Sequence, residues 1–416
     1  MGLSPDGRTP TNALHTLANR LGVGPGMALL ALTLLPAAGA AKQAPATLQW
    51  HAQVQGQLNF APAFDDPATG ADEGVGERIL GWRARRLRVS LTAKRSGWKS
   101  GVKVALDGGG SSWGMVGVPA SGSLAEANPT RLLSGWIQRD LGFGLKFRLG
   151  QFKRQISQDY LVSSSDLRLL ERSFVSEEAG GKRDVGAMVR GTFWRKRINL
   201  VLLALNGNGS NNLRNNNDNL RLEARLGVDP LGRMNLGKGH IGRKPKLHIG
   251  GAVARWRENK RRKTGGYVLT EYDQGSAASA DLAVSWQGIE LRAEGFSRWS
   301  SPIDAQDATR IDLGFSEGAH NEALDELYRR RRGWYGQIAW GLPWLSQVEI
   351  AARAQQWWPD HNKPEEGSEA VDLALSWRSA DDDVKLQTGW MALRQHRQDQ
   401  DPMDAWLLLA QLQLVY

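Results

Sequence analysis

The stretch Asp404–Tyr416, DAWLLLAQLQLVY, ends the chain and decides how the rest is read. Trp406, Leu408, Ala410, Leu412, Leu414 and Tyr416 share one parity, and Gln411 and Gln413 hold the other. Side chains of a strand alternate between two faces, so this pattern gives one apolar and one wet face. A strand of this kind at a chain end, finishing on an aromatic residue, predicts the closing strand of a membrane β-barrel. Pairing with the first strand, Thr47–Phe60, would remove both sheet edges. A soluble edge strand alternates in the same way, so the segment needs support from elsewhere.

Composition supplies some. The 416 residues include 48 Gly and 17 Trp but no Cys, which excludes a disulfide framework and thiolate metal sites. With 23% charged residues and a mean hydropathy of -0.43, the chain is no helical membrane protein, which needs runs of about 20 apolar residues. A barrel needs none, because only alternate residues face lipid. Abundant Trp fits the aromatic girdles at the two membrane interfaces, though core packing uses Trp as well.

The one apolar run, Met27–Leu35 (MALLALTLL), is too short to cross a bilayer and has the length of a signal-peptide core. Arg8 and Arg20 precede it, and Ala38-Gly39-Ala40 offers a small-x-small cleavage site. Residues 1–40 are expected to be a signal peptide and residues 41–416 a single barrel domain. The polar leader before Met27 is long, and a later start codon is an alternative.

Alternation recurs along the chain. Leu87, Val89, Leu91 and Ala93 oppose Arg86, Arg88, Ser90 and Thr92; Leu145, Phe147 and Leu149 oppose Lys146 and Arg148; Leu220–Leu226 reads LRLEARL. Such runs add up to about sixteen strands, an even number, so the expected fold is an all-β transmembrane antiparallel β-barrel. Connections alternate in length. Short ones fall at Arg95–Trp98, Gly142–Gly144 and Gln287–Gly288, and long polar ones at Gly108–Arg131, Phe152–Asp184 and Trp299–Gly333. Short periplasmic turns and long outer loops produce this rhythm, whereas a soluble sandwich has no reason to. Asp229–Pro245 breaks it by being long where a short turn is due.

Gly150–Phe174, GQFKRQISQDYLVSSSDLRLLERSF, resembles the phosphate-selective porin O/P family. The resemblance rests on Gly150-Gln151-Phe152-Lys153, on Ser163-Ser164-Ser165-Asp166 and on Leu170-Glu171-Arg172-Ser173. Arg183-Asp184-Val185-Gly186, Asn206-Gly207-Asn208-Gly209 and Arg83–Val89 (RARRLRV) agree with it. It is specific over about Gly150–Gly209, and it departs where Arg154-Gln155-Ile156 stand in place of an early Pro. The resemblance implies a trimeric sixteen-stranded porin of the Gram-negative outer membrane. Its third loop would fold into the lumen, and phosphate or other small anions would pass by diffusion.

The residues carry a pore reading without the family. With the apolar parity against lipid, the lumen parity holds Arg86, Arg88, Lys103, Lys146, Arg148, Arg190, Arg221, Arg225, Arg292, Arg353, Arg378 and Lys385. Fewer acids share it: Asp107, Glu223, Glu290, Glu294, Glu349 and Asp372. A lumen lined by Lys and Arg favours anions, and the planar Arg fork suits phosphate. Glu223 between Arg221 and Arg225, and Glu290 and Glu294 around Arg292, read as wall bracing. Arg86, Arg88, Lys146 and Arg148 have no acid in their own strands and are the stronger anion contacts. Arg83 and Arg85 fall on the lipid parity, which demands a β-bulge or a place above the membrane.

In the loop, Lys153, Arg154, Arg168 and Arg172 are candidates for a constriction. Asp159, Asp166 and Glu171 are their potential partners; Glu171 and Arg172 would alternatively pin the loop to the wall. The basic clusters Arg255–Lys263 and Arg329–Arg332 sit in outer connections. They would gather anions, bind lipopolysaccharide phosphates or simply be solvated; no nucleic-acid module surrounds them. Tyr416 would be the mark read by the barrel-assembly machinery, as the barrel resemblance implies. No cofactor or metal is expected. An enzyme is disfavoured because none of the seven His lies in a nucleophile elbow or HExxH spacing. His248 on the lumen parity leaves a lone activated residue open. The other alternative is a structural or adhesive barrel whose lumen is plugged by its long loops.

Overall fold

The computed structural model describes residues 46–62, 64–65, 75–76, 79–106, 130–180, 182–215, 218–237, 241–264, 267–302, 330–360, 363, 365–397 and 400–416. The expected signal peptide and the connections 107–129 and 303–329, with Asp107 and Arg329, lie outside these. Sixteen antiparallel strands close into a barrel. They are β1 (Thr47–Ala61), β2 (Ile79–Arg95), β3 (Trp98–Leu106), β4 (Thr130–Gly142), β5 (Leu145–Lys153), β6 (Arg183–Phe193), β7 (Ile198–Leu205) and β8 (Arg221–Val228). β9 (Lys246–Thr264), β10 (Tyr267–Trp286), β11 (Ile289–Pro302), β12 (Arg330–Gly341), β13 (Val348–Trp358), β14 (Gly367–Arg378), β15 (Val384–Arg397) and β16 (Gln400–Val415) complete it.

β16 pairs with β1 from Gln53 opposite Val415 to Phe60 opposite Leu408, so the sheet has no edge. Tyr416 extends the seam: Ala52 and Tyr416 exchange backbone hydrogen bonds of 2.8 and 2.9 Å. The Tyr416 ring stacks on Trp50 with centroids 4.4 Å apart. At the other end of the seam Phe60 meets Trp406 at 5.8 Å. Ten residues separate the two aromatic levels in β1, about 33 Å of strand, or ~25 Å of depth at the usual tilt. That is the height of a barrel's apolar band. Between the levels the outward side chains are exposed and apolar, among them Val54, Val89, Leu202, Leu291, Leu373 and Leu412.

The short-turn end is periplasmic by the usual rule for such barrels. Its hairpins at Ser96-Gly97, Phe143-Gly144 and Gln287-Gly288 place both central residues at positive φ, matching the strand twist. The parity conflict at Arg83 and Arg85 is resolved by a bulge. Gln55 pairs with Arg86 and Gly56 with Ala84, leaving Arg85 as the extra residue that turns inward.

The inserted third connection carries two short helices, α1 (Gln158–Leu161) and α2 (Phe174–Gly180). Its Ile156, Leu169, Leu170, Phe174 and Val175 are buried against Met391, Leu393, Leu407 and Leu409 on the inner wall. The expectation of a wet inner face therefore fails at Met391, Leu393, Leu407 and Leu409, while Gln411 and Gln413 of the same face are polar as expected and hydrogen-bond to Gln387 and to the loop carbonyl of Ser165. At the four apolar positions the wall is dry because the loop covers it.

A basic lumen wall facing an inserted loop

The loop is held by carboxylates and arginines at points well separated around the wall. Glu171 is fully buried and accepts two bonds from Arg85, at 2.7 and 2.9 Å, and one from Arg86, at 3.0 Å. Arg83 stands 3.6 Å away. Burial alone would raise the Glu171 pKa, but Arg85 and Arg86 hold it well below the usual carboxylate range. Farther round, Glu294 on β11 accepts from the backbone N–H of Gln158 (2.7 Å) and Asp159 (3.2 Å), and from the Ser157 and Tyr335 hydroxyls. It thereby satisfies the open donors at the start of α1. Glu223 takes Arg154 at 2.8 Å and the Gln155 N–H at 2.9 Å.

These anchors locate the residues singled out in the sequence. Arg86 is buried between Gln55 (2.8 Å) and Glu171. Arg168 spans to Glu349 (2.6 Å) and Glu290 (3.5 Å). Arg172 donates to the carbonyls of Asp159 and Val162, at 2.5 and 2.6 Å. Lys153 donates to the carbonyls of Tyr160 (2.6 Å) and Val162 (3.0 Å). All four brace the loop in this geometry, and Arg154 joins them through Glu223.

The remaining four stand on a different surface. Arg88, Arg148 and Arg190 are half-buried and Lys146 is exposed, all on the inner side of β2, β5 and β6. Lys146 pairs across with Arg190, and Arg148 with Gln138, whose Oε1 accepts from it at 2.8 and 3.1 Å. The Arg148 guanidinium lies over Trp136, 4.0 Å from the ring centroid, and the Lys99 ammonium lies 5.9 Å from it. Gly101 makes room for that indole: a Cβ there would stand 2.7 Å from it. Arg88 donates to the Ser164 hydroxyl of the loop at 2.7 Å, and Arg190 to Gln155 at 3.3 Å. Lys103 adds a further half-buried cation on β3.

β2–β6 carry two carboxylates among their described residues, and both serve backbone N–H groups. Asp140 caps Gly142 at 3.0 Å, and Asp184 holds Val185 (2.8 Å) and Gly207 (3.0 Å). The lumen is thus divided. On β8–β14 basic groups meet acids, as Arg221 meets Glu223 at 2.7 Å, Arg225 meets Asp281 at 2.6 Å and Arg353 meets Asp372 at 2.6 Å. On β2–β6 the cations of the described residues outnumber the carboxylates, of which Asp140 stands opposite Lys146 in the β4–β5 register.

Two features flagged in the sequence find their partners only in the structure. His248 is clamped between Asp229 (2.7 Å) and Asp281 (3.0 Å), a closed ion-pair arrangement with no nucleophile in it. The anomalous connection 229–245 folds inward: a Cβ on Gly237 would come 2.5 Å from the Asp166 carbonyl oxygen and 2.7 Å from Val162. Its unusual length was the signal, and its target was invisible.

No family model matches the chain, and no curated protein sequence does. Solved structures do. An anion-selective porin from Comamonas acidovorans superposes with a TM-score of 0.53 at 9% identity, over 89% of this chain and 100% of that one. The outer-membrane channel DcaP of Acinetobacter baumannii gives 0.54 at 12% identity, over 91% and 100%. OmpT, an outer-membrane protein of Vibrio cholerae in a trimer form, gives 0.54 at 10% identity, over 90% and 100%. At these identities the likeness establishes the fold, that of an outer-membrane porin barrel.

Proposed function

We propose that this barrel is a passive diffusion pore for small anions, phosphate or related species, in the Gram-negative outer membrane. One observation carries the reading: Arg88, Lys103, Lys146, Arg148 and Arg190 gather on the inner side of β2–β6, where Asp140 and Asp184 are the carboxylates among the described residues, while on β8–β14 arginines pair with acids of the wall. Field lines in a narrow low-dielectric passage concentrate anions beside such a wall. A series of weak sites passes an ion on rather than trapping it. In this reading Arg86, Lys153, Arg154, Arg168 and Arg172 set the width of the passage by fixing the loop, and do not touch the ion.

The neighbours named above include an anion-selective porin and a trimer form, which favours anion passage and a homotrimer here. The same reading includes export by residues 1–40, membership in the phosphate-selective O/P family and recognition of Tyr416 by the assembly machinery. Planar-bilayer recording tests it. Reversal potentials in a salt gradient should report anion preference, phosphate should block chloride current, and Arg88→Glu and Arg148→Glu should each reduce the preference. An unchanged preference in both variants would move the permeation path off this wall.

The contact of connection 229–245 with the inserted loop favours a second reading, a plugged non-conducting barrel. Absence of any conductance would establish it over the first.

A further inference from the structure

The outward face at the long-loop end is not uniform around the barrel. Strand register places Leu222, Arg255, Ser276, Trp299 and Arg330 in one row across β8–β12. One step further out, Arg257 pairs with Gln274. One step toward the membrane centre, Arg332 pairs with Trp358, and its guanidinium lies over that ring at 4.6 Å. Arg255, Arg257, Arg330 and Arg332 thus share a collar with exposed Trp299 and Trp334. The described residues of β8–β13 present no outward acid at all. On β14–β16 the collar is neutral by contrast: Arg394 grips Asp404 through two bonds of 2.7 Å, and His396 meets Glu369 at 3.1 Å.

Two grooves lie on this one-sided region. The outer one, about 1240 Å³, is lined by Leu220, Leu222, Arg255, Arg257, Trp299 and Arg330. The other, about 500 Å³, is apolar and floored by small residues, Ala293, Gly336, Ala352 and Ala354, between Leu291 and Ile338. On β11, Trp299 and Ala293 are six residues apart, about 20 Å of strand, so the apolar groove reaches toward mid-membrane. Arginines at the lipid boundary are stable when an anion meets them, and a phosphate monoester matches the guanidinium fork.

We propose that β8–β13 hold a molecule of lipopolysaccharide. Its phosphorylated sugar headgroup sits against Arg255, Arg330 and Arg332, and one acyl chain lies in the Gly336 groove. The proposal rests on the membrane barrel and not on the pore reading. A second copy of this chain fits less well, because the outward carboxylates of β14 and β16 are already occupied by His396 and Arg394.

Delipidated whole protein in detergent is titrated with diphosphorylated lipid A and with its dephosphorylated form, following bound lipid by native mass spectrometry. Heat-modifiable gel mobility checks that each variant is folded. Diphosphorylated lipid A should bind at least about tenfold more tightly, as two or more lost charge-assisted hydrogen bonds imply. The double variant Arg255→Glu/Arg330→Glu should lose that advantage, and Arg394→Gln should keep it. Gly336→Leu should weaken both lipids while preserving their ratio. Equal binding of the two lipids, or unaltered binding by the double variant, overturns the proposal. So does a double variant that changes the oligomeric state and leaves lipid binding intact, which would assign the collar to a second copy.

Discussion

Replacing Glu171 with Gln removes a carboxylate that Arg85 and Arg86 both bond inside the lumen. Arg85 and Arg86 are about 5% exposed or less, so they lose the Glu171 charge while still buried. Stranding one side of such a buried pair costs about 3–5 kcal/mol. Against this stands the apolar seating of the loop. Ile156, Leu169, Leu170, Phe174 and Val175 are buried, which at the usual per-residue value contributes roughly 10 kcal/mol gross. Apolar seating outweighs the lost ion pair, so the loop stays in the lumen and only its seam with β2 opens. Glu171→Gln should therefore lower the temperature of the heat-modified mobility shift in detergent. It should also move the reversal potential further toward anions, because one negative charge is removed from beside Arg85 and Arg86. Wild-type values for both would refute the anchor. A complete loss of folded barrel would show that the ion pair, not the apolar seating, holds the loop.

Further outcomes follow from the same geometry. Burial, then the neighbouring Glu171 charge, pushes the half-buried Glu177 carboxyl up to about 7. Its ionised form is disfavoured in the folded state, so its penalty is absent below the unfolded pKa near 4.5, grows as pH rises and is complete above about 7. Glu177→Gln should stabilise the barrel by about 1–3 kcal/mol at pH 8 and leave it unchanged at pH 4, read by thermal melts at both values. Glu171 works oppositely: its depressed pKa keeps the anchor intact through pH 4.5 and releases it only in stronger acid. Gly237→Val should drive connection 229–245 off the inserted loop and raise single-channel conductance with selectivity unchanged; equal conductance would mean that contact does not restrict flow. Tyr416→Ala removes the stack on Trp50 and should reduce the yield of folded barrel in membranes, measured by heat-modifiable mobility of the membrane fraction.

What was legible in the sequence was what repeats locally. Alternation in Leu87–Ala93 and in Asp404–Tyr416 gave strand faces correctly because period two is a property of neighbouring residues. The misplaced parity of Arg83 and Arg85 even announced the bulge. Long-range pairings left no such trace. Arg85 and Glu171 are 86 positions apart, and Arg168 and Glu349 are 181 apart. The inward Leu407 and Leu409 gave no warning either, since a strand apolar on both faces has no alternation to betray a dry partner. Which cations line the lumen and which hold the loop depended on those contacts. Arg86 and Arg88 are equivalent by pattern and differ only because Glu171 lies beside one of them.

The central claim is that the β2–β6 cations set the charge preference of the passage. The reversal potential of the wild-type barrel across a potassium chloride gradient tests it most directly. The arrangement of Arg88, Lys103, Lys146, Arg148 and Arg190 predicts a potential of the sign set by chloride, reduced in magnitude by Arg148→Glu. A potential of the sign set by potassium would contradict it.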